Sequence, residues 1–202
     1  KGRKGKIMTS LSALENIHKV GLFGDHQEKN ENELTKVSEV QHLQIIQIVH
    51  YDNSTTQVAS INIDNLKFPE DSMQVSSNND TRILWTGPSN WLLVSTKQNI
   101  LNSVQNFCDD RNFAVTDLSH SRAVIELKGS KSKEILKKGC PINLNEFKVN
   151  NCANSVFHGI TITIDMVSND PETFRVFALR SFGESLYHGI TDACLEEGYK
   201  GV

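Results

Sequence analysis

Apolar positions along this chain recur either every second residue or in short β-branched runs, and only later at helical spacing. Gln44 to Tyr51 and Arg122 to Leu127 predict strands, each opening one half of the chain. Ser60-Ile61-Asn62-Ile63-Asp64 and Thr161-Ile162-Thr163-Ile164-Asp165 alternate as half-buried strands do. Trp91-Leu92-Leu93-Val94 and Phe174 to Leu179 are two further strands, and a helical pattern follows each. Ile100, Val104 and Phe107 share one helical face, with Cys108 beside them; Leu186, Ile190 and Ala193 share another, with Cys194 beside them. Ser95 with Gln98, and Ser181 with Glu184, have the spacing of a capping box, so the two helices are expected to begin near Thr96 and Phe182. Gly198 is a helix stop.

These features match at one offset: Ser95 with Ser181, Gln98 with Glu184, Val104 with Ile190, Cys108 with Cys194. They predict an internal repeat. The second half adds a short helix, with Ser130 expected as its cap, Ile135 and Leu136 as its anchors, and Gly139 and Pro141 as its stop. Lys137 and Lys138 suit its negative end. No equally clear helix lies between the first-half strands. Gly24 to Glu39 is polar without clear periodicity and reads as an extended arm or loop, able to order against a partner. Pro69 to Thr81 reads as a solvent-facing loop. The expected organisation is a tag or pre-start segment over 1–8, an extended N-terminal arm over 9–40, a first half-domain over 41–112 and a second over 113–202. Paired strands followed by helices predict an α+β fold of two diverged β/α half-domains, with helices on one face of antiparallel or mixed sheets.

The chain has 202 residues and a formal net charge of -3. That balance lacks the basic excess of a nucleic-acid binder. No apolar run approaches the roughly 18–20 residues of a membrane span. The start of the chain has no hydrophobic signal region, so a cytoplasmic location is expected. The four cysteines, at 108, 140, 152 and 194, form no Cys-x-x-Cys pair, and the seven histidines have no metal-ligand spacing. Reduced thiols and no metal site are the expectation. Neither Gly-x-Gly-x-x-Gly nor a P-loop occurs, so a dinucleotide bound in the usual way would sit in another chain.

Three groups of residues could carry function. Asp117 and His120 could orient an imidazole for general-base work, or simply tie a loop to a strand end; Ser119 beside them lacks the context of a nucleophile elbow. Trp85 and Trp91 flank the turn Gly87-Pro88-Ser89-Asn90, and are either an interface hot spot or hairpin core. Lys128, Lys131, Lys133, Lys137 and Lys138 could attract an anion such as a polyglutamylated folate, or form a solvated face.

The order of motifs carries more than any one of them. Ala114-Val115-Thr116-Asp117-Leu118-Ser119-His120-Ser121-Arg122 runs into Ala123 to Gly129, and Lys138-Gly139-Cys140-Pro141-Ile142-Asn143-Leu144 follows. Read with Trp85 to Val94, this resembles the gamma subunit family of heterotetrameric bacterial sarcosine oxidase, which has the folate-binding fold of the glycine-cleavage T-protein. Ser10 to Glu15 resembles the opening of the same family. The resemblance implies one subunit of a four-chain enzyme that oxidises sarcosine with oxygen to glycine and hydrogen peroxide and passes the methyl-derived carbon to tetrahydrofolate. It implies FAD, FMN, NAD and tetrahydrofolate in partner subunits and none in this chain. A large alpha subunit is the expected contact, with beta and delta subunits in the complex, and no catalytic, cofactor-binding or metal-binding residue is expected here. In T-proteins a segment resembling Thr-Asn-Asp-Val supplies an aspartate for folate chemistry; Asn143 falls over it, where gamma chains usually read Cys-Pro-Leu-Asp-Leu. An amide cannot take a proton at neutral pH, so Asn143 reads as a residue that closes a turn. A free-standing folate-binding protein of the same fold, as among iron–sulfur assembly factors, is the alternative. A plain β-rich interaction module is a third reading.

Overall fold

The structure, a computed structural model, describes residues 12–202. Its strands in chain order are β1 (Gly21–Phe23), β2 (Thr35–Glu39), β3 (Gln44–His50), β4 (Asn62–Ile63), β5 (Leu66–Lys67), β6 (Val75–Ser77), β7 (Thr81–Gly87), β8 (Asn90–Ser95), β9 (Phe113–Asp117), β10 (Arg122–Lys128), β11 (Cys152–Phe157), β12 (Ile160–Asn169), β13 (Glu172–Leu179) and β14 (Tyr199–Gly201). The helices are α1 (Ile100–Phe107), α2 (Ser132–Lys137) and α3 (Gly183–Cys194).

Two sheets form the frame, ordered β6-β7-β8-β3-β9 and β1-β14-β2-β10-β13-β12-β11. Alternation along each strand divides its side chains between two layers. In β8, Trp91 and Leu93 point to a core shared with Ile100 and Val104 of α1, while Leu92 and Val94 point the other way, into a core between the sheets. In β13, Phe174 and Val176 face Leu136 of α2 and Ile190 of α3, and Phe177 faces the first sheet. The sheets therefore lie back to back, with helices outside.

The repeat is visible as topology. The order β6-β7-β8-β3-β9 has its counterpart in β11-β12-β13-β10-β2, with α1 following β8 as α3 follows β13. Where α2 stands in the second half, the first has a 3₁₀ turn, Val58–Ser60, and the β4–β5 hairpin, whose Ile63 is fully buried.

Several expectations need correction. Ser60 to Asp64 is not a main-sheet strand: only Asn62–Ile63 pairs, and with β5, so the sheet counterpart of Thr161 to Asp165 is β7. The stretch read as a free arm supplies β2, held between β14 and β10, because Thr35 and Val37 alternate inward and are buried. Residues 113–117, placed in the second half-domain, form β9 and pair with β3 of the first sheet. Pro69 to Thr81 is not wholly a loop, since β6 lies within it and Val75 joins the inter-sheet core.

Neither capping box forms. Ser95 ends β8 with its buried hydroxyl bonded to Thr81 Oγ1 (2.8 Å) and accepting from Lys97 N (3.1 Å), so α1 begins only at Ile100. Gln98 donates to His42 O instead (2.9 Å). Ser181 sits in a 3₁₀ turn, and α3 begins at Gly183 with no side-chain cap. Ser130 does not cap α2: Glu172 of β13 accepts from Lys133 N at 2.9 Å. Phe107 is 55% exposed, because α1 ends there and Cys108 takes the inward place.

Candidate functional site

The seam between the sheets is the feature both halves build together. Its apolar floor includes Ile45, Leu84 and Leu92 from the first sheet and Val124 and Phe177 from the second. Within it Arg82 of β7 donates from Nε to Asp165 Oδ2 (2.6 Å) and from its terminal nitrogen to Asp165 Oδ1 (2.7 Å). The Asp165 side chain is fully buried. A two-pronged pair of this kind fixes orientation as well as distance. Because β7 and β12 are counterparts in the two sheets, the pair ties one half to the other.

One lip of the seam is closed by main-chain bonds. Cys152 N donates to Met73 O (2.8 Å) and Val75 N to Asn150 O (2.9 Å). The Cys152 thiol donates to Trp85 O at 3.2 Å, and burial pushes it up to about 12. Burial likewise raises the Cys108 and Cys194 thiols to about 12, which leaves them protonated and poor nucleophiles.

The other end of the seam opens as a cleft of about 110 Å³ lined by Glu39, His42, Ser119, His120, Arg122 and Arg180, with Ile45 and Val124 below. Burial disfavours the charged form of the Arg122 guanidinium.

The sequence candidates fall in different places. Asp117 is not paired with His120: its Oδ1 accepts from Ser119 N (2.9 Å) and Ser119 Oγ (2.5 Å). Ser119 Oγ in turn accepts from Ile45 N at 3.0 Å, so the group ties the β9–β10 turn to β3. His120 is exposed. Trp85 and Trp91 are cross-strand partners; Trp91 is buried, donates to Pro69 O at 2.8 Å and meets Phe68 edge-on at 4.9 Å. Trp85 is half-buried against the same core. Lys131, Lys133, Lys137 and Lys138 each pair with a glutamate, at 197, 172, 134 and 196.

The Lys138-Gly139-Cys140-Pro141 motif joins α2 to α3. Lys138 Nζ donates to Ala193 O at 2.8 Å. Gly139 lies so near the Phe157 ring that a Cβ there would stand 2.7 Å from it. Asn143 Oδ1 accepts from Asn145 N (3.2 Å) and its Nδ2 donates to Glu146 (2.8 Å), closing a turn. Sequence reasoning missed Arg82 and Asp165, although a lone charge inside an apolar strand (Arg82 before Ile83-Leu84, Asp165 after Ile164) was the available signal. Among the described residues no group of three or more His, Cys, Asp or Glu could hold a metal ion, and no helix is long and apolar enough to cross a membrane.

The model of the Sarcosine oxidase, gamma subunit family matches residues 54–196. The chain belongs to this family. Sarcosine oxidase subunit gamma of Corynebacterium sp. strain U-96 is 29% identical over 119 residues, 57% of each chain. The same subunit of strain P-1 is 27% identical over 119 residues, 57% of this chain and 58% of its own. The alignment thus spans little more than half the length of these relatives. Among solved structures, a chain of the heterotetrameric sarcosine oxidase from Corynebacterium sp. U-96, in complex with pyrrole 2-carboxylate, superposes with a TM-score of 0.78 at 22% identity, covering 92% of this chain and 96% of that one. The glycine cleavage system aminomethyltransferase T from Bartonella henselae gives a TM-score of 0.63 at 11% identity, over 90% of this chain and 57% of that one. At such identities these likenesses establish the fold, which is that of the T-protein.

Proposed function

We propose that this chain is the gamma subunit of a heterotetrameric sarcosine oxidase and serves there as a structural subunit without an active site of its own. The observation that carries the reading is the family match over residues 54–196. In that role the chain works in the cytoplasm against a large alpha subunit, with beta and delta subunits completing the enzyme. The complex demethylates sarcosine to glycine, passes the carbon to tetrahydrofolate and releases hydrogen peroxide. FAD, FMN, NAD and tetrahydrofolate are held by the partner subunits.

The local chemistry supports a structural role. Asp117 is held by Ser119, which leaves His120 without an orienting carboxylate from that side. Asn143 spends both ends of its amide on a turn. The paired lysines of α2 weigh against a polyglutamate site, and hence against a free-standing folate-binding protein.

Expression of this chain alone tests the reading. The pure protein is expected to be colourless and to consume no oxygen with sarcosine. Stoichiometric flavin absorbance, or turnover, would overturn it.

A further inference from the structure

Arg122 opens β10, and Leu179, closing β13, is its direct cross-strand partner. Directly opposed residues of an antiparallel pair point to the same face. Two steps inward, Val124 and Phe177 are such a pair, and both lie in the core between the sheets. Arg122 and Leu179 therefore point to the seam side, at the place where that core ends and the cleft begins.

Arg122 is half-buried, yet among the described residues its hydrogen bonds reach only the carbonyl (3.4 Å) and hydroxyl (3.2 Å) of Ser121. Among the described residues no carboxylate is in ion-pair contact with it, and burial disfavours its charged form. Glu39, the carboxylate that lines the cleft, is committed elsewhere: it accepts from Ala13 N (2.9 Å), from the Ser12 hydroxyl and from Gln41 (3.0 Å). A partly desolvated guanidinium without an anion forfeits hydration and gains no partner in return. Leu179, the cross-strand partner of Arg122, is 46% exposed, and Phe182, three residues further along the chain, is 47% exposed. Arginine and phenylalanine are both enriched at interfaces relative to the rest of a protein surface, and the exposed Leu179 adds apolar area beside the arginine.

We propose that this mouth of the seam is a carboxylate-binding site, filled in the assembled enzyme by an acidic side chain of a neighbouring subunit. The carboxylate pairs with Arg122 while the apolar residues around it cover Leu179 and Phe182. A cleft of about 110 Å³ suits a carboxylate on a short aliphatic stem. The charge calls for the carboxylate, and the flanking apolar side chains favour a polypeptide as its source over a free acid. The choice of a subunit as occupant rests on the gamma-subunit reading; the carboxylate site itself does not.

Two measurements separate these claims. In the first, glutarate is titrated into the isolated full chain while the side-chain NMR signal of Arg122 is followed. A saturable shift is expected in the wild type, and none elsewhere on the cleft in Arg122→Gln. In the second, the chain is coexpressed with the large subunits, and its dissociation from the complex is measured by dilution. Arg122→Gln is expected to weaken association about tenfold or more, and Arg122→Lys less, because the charge is kept. Thermal unfolding of each variant identifies any that is misfolded, and Leu179→Ser then tests the same surface without touching the arginine. Saturable glutarate binding with unchanged assembly would overturn the subunit side chain as occupant in favour of a free carboxylate. No glutarate shift together with unchanged assembly would overturn the site. Failure of the wild-type chain to associate at all would refute the gamma-subunit reading and the subunit as occupant, while the glutarate titration would still decide the site.

Discussion

Single residues set the local geometry of this fold, and Gly139 does so by lacking a side chain. The Phe157 ring, fully buried, occupies the space a Cβ would need. The motif glycine is thus explained by packing between α2 and β11. Gly139→Ala is expected to cost about 1–3 kcal/mol in urea unfolding, as overpacking does. Adding Phe157→Leu should recover part of that loss; no recovery would mean the ring is not the obstacle. Asp64 is held in another way. Hydrogen bonds from Lys97 Nζ (2.5 Å) and Thr81 Oγ1 (2.6 Å) lower its carboxyl below the ordinary aspartate value of 3.8, the Lys97 bond being the larger cause. A lowered native value means that ionised Asp64 stabilises the fold fully above 3.8, and that this contribution disappears as pH falls below it. Asp109, Glu134 and Glu196 are also lowered, so acid unfolding is shared among several groups. The prediction concerns the difference: Asp64→Asn should be less stable than wild type at pH 6, with the gap narrowing below about pH 4. A gap independent of pH would contradict it.

At the scale of elements, strands were more legible than helix ends. β3, β10 and β13 are β-branched or aromatic runs whose pattern is local, and each appears where the pattern placed it. β2 was hidden because two inward residues, Thr35 and Val37, in a five-residue strand make too short a period to stand out beside the polar stretch before it. The capping boxes failed because the Ser95 hydroxyl had a tertiary partner in Thr81 that the spacing could not reveal. The cap of α2 was likewise supplied from a distant strand by Glu172. The cleft was half legible: Ser119, His120 and Arg122 stood inside the motif that carried the family resemblance, but nothing in their spacing told of the opening behind them. Helix faces were read well where the helix is long enough to hold them. In α3, Leu186 and Ile190 are fully buried. Ile190→Ala is expected to cost about 2–5 kcal/mol. Lys133→Ala, which breaks a largely buried ion pair with Glu172 but leaves no cavity in the core, should cost clearly less. Equal costs in urea unfolding would mean that α3 is not docked as described.

For the whole molecule, the question is what makes two diverged halves one body. Apolar packing across the seam supplies most of the contact, and Arg82 with Asp165 supplies the orientation. The two residues are 83 apart in sequence, so each lone charge could be noticed in its own apolar strand but their pairing could not. Removing one partner leaves a buried charge uncompensated, so Arg82→Met is expected to cost about 3–5 kcal/mol. The double change Arg82→Met with Asp165→Leu should cost clearly less than Arg82→Met alone, because no charge remains buried. Additive costs in that cycle would show that the two side chains do not act as a pair.

The same rigid pair of halves is what a structural subunit would offer to large catalytic partners. Native mass spectrometry of the coexpressed complex, combined with flavin analysis of each separated chain, tests this most directly. The expected result is one copy of this chain bound with the large subunits, sarcosine-dependent peroxide release from the complex, and all flavin recovered from the other chains. A complex that forms and turns over sarcosine at full rate without this chain, or flavin recovered from this chain itself, would contradict the structural-subunit reading.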